Sequence, residues 1–297
     1  MRLMHAFGML TSNKAPLSLI SRKLKYNNNM TQYNTPMNGF YNFTPELAFK
    51  TIKKHWMAWD NEVKSKAYVI GISGGIDSTC VTALACKIFG KDRVVGVSLP
   101  CDGQKDMVDV DAVFEHLGIK RVTIDIGDAF ASLKNGIENN CIDLTDVCKT
   151  NMPARLRMTA LYGVAQCLGG VMVNTCNRSE SILGNDTLFG DDCGSYGPIQ
   201  KLTKTEVKAI AAWLGVPENL VNKIPVDGLQ PLSDEDRLGI TYAKVDDYIR
   251  STGPVSADEE SLILEKFIKN KFKMEIVRVP GPDFAHYPDR LRANFGV

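Results

Sequence analysis

The sequence has almost no net charge: 35 Lys and Arg stand against 34 Asp and Glu, leaving +1 at neutral pH. Nothing global therefore draws the chain to nucleic acid or to an anionic membrane surface. No apolar run is long enough to span a bilayer. Cysteine motifs are missing too. The eight cysteines sit at 80, 86, 101, 141, 148, 167, 176 and 193, and none forms Cys-x-x-Cys. That removes the common zinc and redox signatures. Several fall inside apolar helical patterns, where cysteine acts as a small hydrophobe. Free thiols in a reducing compartment are expected, with a cytoplasmic location. Acid is absent from the first 45 residues, Glu46 being the first. This basic, hydroxyl-rich stretch has the composition of an organelle transit peptide. Asn27 to Asn29 and the pattern from Met37 also suit a disordered leader, or a start placed upstream of true initiation at Met30 or Met37.

What remains is ample for a core. The chain has 297 residues, 44% hydrophobic and 23% charged, enough for one large α/β domain or two small ones. Its most informative stretch is Gly-Ile-Ser-Gly-Gly-Ile-Asp-Ser, Gly71 to Ser78. The apolar run Ala67 to Ile70 before it reads as a buried strand, and Thr79 to Phe89 after it as a helix. Small residues at such a turn let backbone N–H groups approach an anion, and the helix N-terminus adds partial positive charge. Ser73 and Ser78 add hydroxyl donors. Asp77 is out of place in a pure anion site. A carboxylate beside phosphates implies a divalent cation between them. The loop lacks the lysine of Gly-x-x-x-x-Gly-Lys-[Ser/Thr] and also the Gly-x-Gly-x-x-Gly fingerprint.

Helices are predicted from Thr44-Pro45-Glu46 to about Val63 and over 105–117, 128–138 and 153–168, with strands at 93–99, 121–125 and 171–175. This alternation predicts an α/β fold: a parallel sheet with helices on both faces and a ligand site beyond the carboxyl ends of its strands. Three chemically rich loops converge there, at 71–78, 100–104 and 175–180. Beyond 200 the chain turns helical, at 203–214, 242–250 and 259–271, and 272–297 reads as a strand and an extended segment.

The Ser-Gly-Gly-x-Asp-Ser loop resembles that of the N-type ATP pyrophosphatases, which cleave ATP between its α and β phosphates. Further segments narrow the resemblance: Pro-Ala-Arg-Leu-Arg-Met (153–158), Asn-Thr-Cys-Asn-Arg-Ser-Glu (174–180), Phe-Gly-Asp (189–191), Leu-Thr-Lys-Thr-Glu-Val (202–207), Pro-Val-Asp-Gly-Leu (225–229) and Ser-Asp-Glu-Asp-Arg-Leu-Gly-Ile-Thr-Tyr (233–242). Together they resemble the ammonia-dependent NAD synthetases, in family order, over about residues 41–280. The resemblance implies an adenine-nucleotide α-hydrolase-like, Rossmann-like domain over 41–280. Residues 1–40 are then a leader or mis-assigned start, and 281–297 an extended tail. The implied reaction joins the nicotinate carboxylate of deamido-NAD to AMP, releasing pyrophosphate, before ammonia displaces AMP.

Carried over, the resemblance implies that Gly71, Ile72, Ser73, Gly74, Gly75, Ile76, Asp77 and Ser78 cradle ATP, with Thr175, Lys204 and position 226 also near it. Asp77 and Glu180 would hold Mg2+. Arg155 would contact deamido-NAD, and Asp191 would position substrate or help deprotonate ammonia, with Lys204 also at the chemistry. Read alone, Glu180 is a helix-start residue, Lys204 a first-turn lysine, and Arg155 and Arg157 surface arginines. Three positions depart from the family pattern: Leu188 replaces a Lys or Arg, Ser195 an Asp at deamido-NAD, and Val226 a Ser or Thr near phosphate. They keep two other readings open, an ATP pyrophosphatase for another acid and a weakly catalytic nucleotide-binding paralogue. The resemblance further implies a homodimer. No amidase domain precedes residue 41, so free ammonia, or ammonia from a separate glutaminase, is the expected nitrogen donor.

Overall fold

The computed structural model describes residues 43–101, 107–223 and 233–275. The leader, the tail beyond 275 and Val226 lie outside them. Helix α1 spans Pro45–Val63; the Thr44 hydroxyl caps it by accepting from Leu47 N, and Pro45 occupies its first turn. Strand β1, Tyr68–Gly71, leads through the glycine-rich loop into α2, Ile76–Phe89. Strand β2 is Val94–Ser98, α3 Met107–Leu117, β3 Lys120–Thr123 and α4 Gly127–Glu138. Helix α5, Asp146–Cys167, precedes the short β4, Val171–Met172.

The sheet is parallel throughout, in the order β3-β2-β1-β4, with Val69 opposite Val95 and Met172. Alternation along β1 sorts the two faces. Tyr68 and Ile70 pack with Trp56 of α1, Leu84 of α2 and Val113 of α3. Val69 packs on the opposite face with Val97, Leu161 and Ala165. Both strands are buried on both faces, which is why they read as continuous apolar runs. Helices α6 (Arg178–Leu183), α7 (Lys204–Trp213), α8 (Glu218–Val221), α9 (Asp234–Leu238), α10 (Tyr242–Arg250) and α11 (Ala257–Glu275) complete the described chain. A third apolar cluster, including Ile182, Leu238, Val245 and Ile263, joins α6 to α9, α10 and α11.

The expected architecture is found, with local corrections. Helix α2 begins three residues earlier than Thr79, so Asp77 and Ser78 lie in its first turn. Pro153 does not open its helix; α5 starts at Asp146, where the Thr145 hydroxyl accepts from Cys148 N. A good cap and the surrounding packing outweigh one missing N–H. Strand β4 is shorter than 171–175, continuing only as a bridge between Val173 and Tyr196. Residues 272–275, expected as strand or extended chain, finish α11.

Gly96 shows how tightly β2 is covered. An added Cβ would lie 2.5 Å from Phe114 Cε1 and 2.8 Å from Ile119 Cδ1. Gly96→Ala is expected to cost about 1–3 kcal/mol through overpacking. Urea unfolding should show this as a lower midpoint at unchanged slope; an unchanged midpoint would mean that the Phe114 ring moves aside freely.

Candidate active site

A cavity of about 540 Å3 opens at the carboxyl ends of β1 and β2, between the glycine-rich loop, α5 and the segment after β4. The loop shapes one wall. Gly74 has φ +75°, and a Cβ there would meet Asp109 Cβ at 2.9 Å; only glycine meets both demands without strain. Gly75 caps α2 without a side-chain bond, leaving helix N–H groups available to an anion. Ser78 is buried and serves the loop itself, its hydroxyl donating to Gly75 O at 3.1 Å and lying 3.2 Å from that of Ser73.

The charged centre joins three helix starts. Asp77 comes from α2, Glu180 from α6 and Lys204 from α7. The Lys204 ammonium donates to Asp77 Oδ2 at 2.5 Å and to Glu180 Oε1 at 3.0 Å, and Asn177 Nδ2 donates to Asp77 Oδ1 at 2.8 Å. Asn177 also caps α6 in a reciprocal box with Glu180. Glu180 is thus both a capping residue and part of the charged centre. Lys204 is only 4% exposed. Burial opposes its charge, but the two carboxylates outweigh burial and hold it protonated well above the usual lysine range. Burial first, and then the Asp77 charge, push the Glu180 carboxyl upward.

Residues present here fit a divalent cation. Two carboxylates from separate elements face one gap, and an ammonium is already drawn into it. One cation against two carboxylates leaves negative charge for a second. Mg2+ commonly takes one or two protein carboxylates and completes its shell with waters and phosphate oxygens.

A second acidic wall follows α6. Asp191 Oδ1 accepts from Thr187 N at 2.8 Å. Asp191 is open to the cavity yet densely surrounded by protein atoms, and that burial raises its carboxyl above the usual range. Asp186 faces the same space, and Lys273 from α11 donates to its Oδ1 at 3.2 Å and to its carbonyl at 2.7 Å. Burial pushes Asp186 up to about 6 against the pull of Lys273.

Of the residues named from sequence, Gly71, Ile72, Ser73, Gly75, Ile76, Asp77, Ser78, Thr175, Glu180, Asp191 and Lys204 line this cavity. Gly74 shapes the loop from behind. Arg155 is not among the described lining residues; it is exposed, and its Nε donates to Leu188 O at 3.4 Å. Leu188 and Ser195 also sit outside the described wall; Leu188 pairs with Asp192, and Ser195 N donates to Met172 O at 2.8 Å. Sequence reasoning missed Arg157, which lines the cavity and donates to Leu99 O at 3.0 Å. It also missed Asp186, Lys223 and Lys273. Arg157 stands two residues from Arg155, about 200° around the helix, and that opposition was the available signal.

Asp186 sets a pH dependence. Its folded pKa, about 6, exceeds the ordinary 3.8. The native state therefore binds the extra proton, and this contribution falls as pH rises from about 4 to about 6, then stays level. Relative to Asp186→Asn, wild type is expected to lose up to about 3 kcal/mol across that window. Urea midpoints of both proteins over this pH range measure it; a constant difference would show that Asp186 is not desolvated.

Comparisons with known proteins show the family of this chain. A family model described as NAD synthase matches residues 51–278. The NH(3)-dependent NAD(+) synthetase of Pyrococcus horikoshii is 41% identical over 204 residues, 68% of this chain and 78% of that protein. The protein of the same description from Methanosarcina mazei is 36% identical over 233 residues, 72% of this chain and 90% of its own. Among solved structures, the NMN synthetase from Francisella tularensis superposes with a TM-score of 0.74 at 31% identity, covering 81% of this chain and all of that one. With the model match spanning most of its length and such relatives covered over more than two thirds of theirs, this chain belongs to the NAD synthase family.

Proposed function

We propose that this protein is an ammonia-dependent NAD synthetase, amidating deamido-NAD with ATP to give NAD, AMP and pyrophosphate. The observation that carries the reading is the Lys204 ammonium held between Asp77 and Glu180 beside a glycine-rich phosphate loop. The family match supports it and does not favour the readings as a different ATP pyrophosphatase or a binding paralogue.

The apolar end of the cavity, with Val97, Leu99, Met107 and Met158, suits an adenine ring. The triphosphate then runs along the loop toward Asp77. Loop N–H groups and the start of α2 meet the β and γ phosphates, and Lys204 turns from a carboxylate to the phosphate whose charge grows as the α–β bond breaks. Asp77 and Glu180 would hold Mg2+, which supplies charge neutralisation on the phosphates when bound. The nicotinate carboxylate attacks the α phosphorus, forming an acyl adenylate as pyrophosphate leaves. Ammonia then attacks the acyl carbon, AMP leaves, and the excess proton passes to a nearby base. Asp191, its carboxyl raised by burial, would orient ammonia and accept that proton. Keeping water away from the mixed anhydride would protect it from hydrolysis.

Arg155, exposed on α5, would meet the far part of the dinucleotide, and a homodimer through this side of the molecule belongs to the same reading. A separate glutaminase as ammonia source and a cytoplasmic location complete it; a cysteine set with no Cys-x-x-Cys spacing suits a reducing compartment. Among the described residues, no helix is long and apolar enough to cross a membrane.

The test is pyrophosphate release with ATP, Mg2+ and ammonium, with product identified by mass. Release is expected to require deamido-NAD and to yield NAD. Nicotinate mononucleotide is the second acid to supply, because one solved relative is described as an NMN synthetase; faster turnover of that acid would overturn the assignment of the dinucleotide. Asp77→Ala should lower pyrophosphate release on the order of 100-fold or more while remaining folded. Wild-type turnover in the folded variant would remove Asp77 from the chemistry.

A further inference from the structure

We propose that Asp246 is a positioning residue that holds Lys204 and Glu180 in register with Asp77. The inference rests on reading this cavity as a phosphate and metal site. Asp246 lies on α10, is 5% exposed and is not among the residues lining the cavity. Its carboxylate nonetheless governs two neighbours of the charged centre. Oδ1 accepts the Ser179 hydroxyl at 2.5 Å, while Oδ2 accepts Thr205 N at 2.7 Å and the Thr205 hydroxyl at 2.6 Å. Ser179 precedes Glu180, and Thr205 follows Lys204. Ser179 Oγ in turn accepts from Lys204 N at 3.0 Å.

This arrangement has a fixed polarity. A serine hydroxyl has one proton. Because Ser179 gives it to Asp246, its lone pair must face the Lys204 N–H. Lys204 and Thr205 open α7, where backbone N–H groups have no partner within the helix. One carboxylate therefore satisfies both, one directly and one through Ser179, and locks the start of α7 against the start of α6. Lys204 and Glu180 are the two members of the triad on those helices. Asparagine at 246 would point an N–H at one of three donors and break the lock without changing its size.

A nearby contact separates positioning from simple packing. Arg250, one turn further along the same helix, clamps α7 through Glu206, with Nε to Oε1 at 2.8 Å. Like Asp246 it ties α10 to α7, but among the contacts described it touches neither Ser179 nor Thr205 and does not reach α6. Stability alone would treat the two anchors alike.

The test compares full-length wild type, Asp246→Asn, Ser179→Ala and Arg250→Gln. Turnover is measured against ATP and Mg2+, and Lys204 acylation by an amine-reactive ester is followed by peptide mass. Asp246→Asn is expected to lower kcat/KM for ATP by about 10- to 100-fold and to raise the half-saturating Mg2+. Its Lys204 should also acylate faster than in wild type. Arg250→Gln should lower the melting temperature but keep kcat/KM within about threefold and Lys204 protected. Ser179→Ala retains the Asp246–Thr205 bonds, so it decides the matter if Asp246→Asn does not fold; it should show the same changes in smaller measure. Folded Asp246→Asn or Ser179→Ala with wild-type labelling and kinetics would overturn the proposal, as would equal changes in Arg250→Gln. If wild type itself turns over no acid substrate, the functional reading fails, while the Lys204 labelling contrast still decides whether Asp246 positions the centre.

Discussion

The site depends on one buried cation shared by two carboxylates. A lysine with 4% exposure could not keep its charge alone, since removal from water favours the neutral amine. Asp77 and Glu180 reverse that preference, and each arrives from a different helix start. Removing Lys204 would leave two buried carboxylates with no cation between them, the situation in which buried charges become costly. The same triad draws three helices to one point at the end of the sheet. The site and the fold are therefore difficult to separate here, because the charged groups that line the cavity also hold its walls together.

The sheet was legible because its central strands are buried on both faces. Tyr68 to Ile70 and Val94 to Val97 have no polar face, so an apolar run sufficed to find them. The glycine-rich loop was legible for a local reason as well: small residues, a helix start and a carboxylate stand in eight positions. Less was legible where tertiary contact overrides local preference. Pro153 reads as a helix start, yet the Thr145 cap begins α5 earlier. Glu180 reads as a capping residue, and it is one, but its ion pair depends on a lysine 24 positions away. The second acidic wall was hidden for the same reason. Asp186 looks like a loop polar residue until Lys273, 87 positions on, folds against it.

The departures from the family pattern carry a related lesson. Leu188 and Ser195 lie outside the described wall of the cavity, while Asp186, Arg157 and Lys273 lie within it. Matching by motif directs attention to positions that change between relatives. Packing shows instead which side chains confront a ligand from the opposite wall, and those need not be near a motif in sequence.

The third apolar cluster gives the cavity a mechanical character. Glu180 rides on a helix anchored in that cluster through Ile182 and Leu183, whereas Asp77 and Lys204 ride on helices anchored in the cluster with Ile76 and Ile210. The charged centre is therefore a seam between two separately packed bodies of side chains. Any ligand touching both sides would stabilise the closed seam by mass action, increasingly with the logarithm of its concentration over its dissociation constant. Local opening of the smaller cluster would disassemble the centre while the sheet remains intact. A site built across two clusters is one that an occupant touching both would make sturdier.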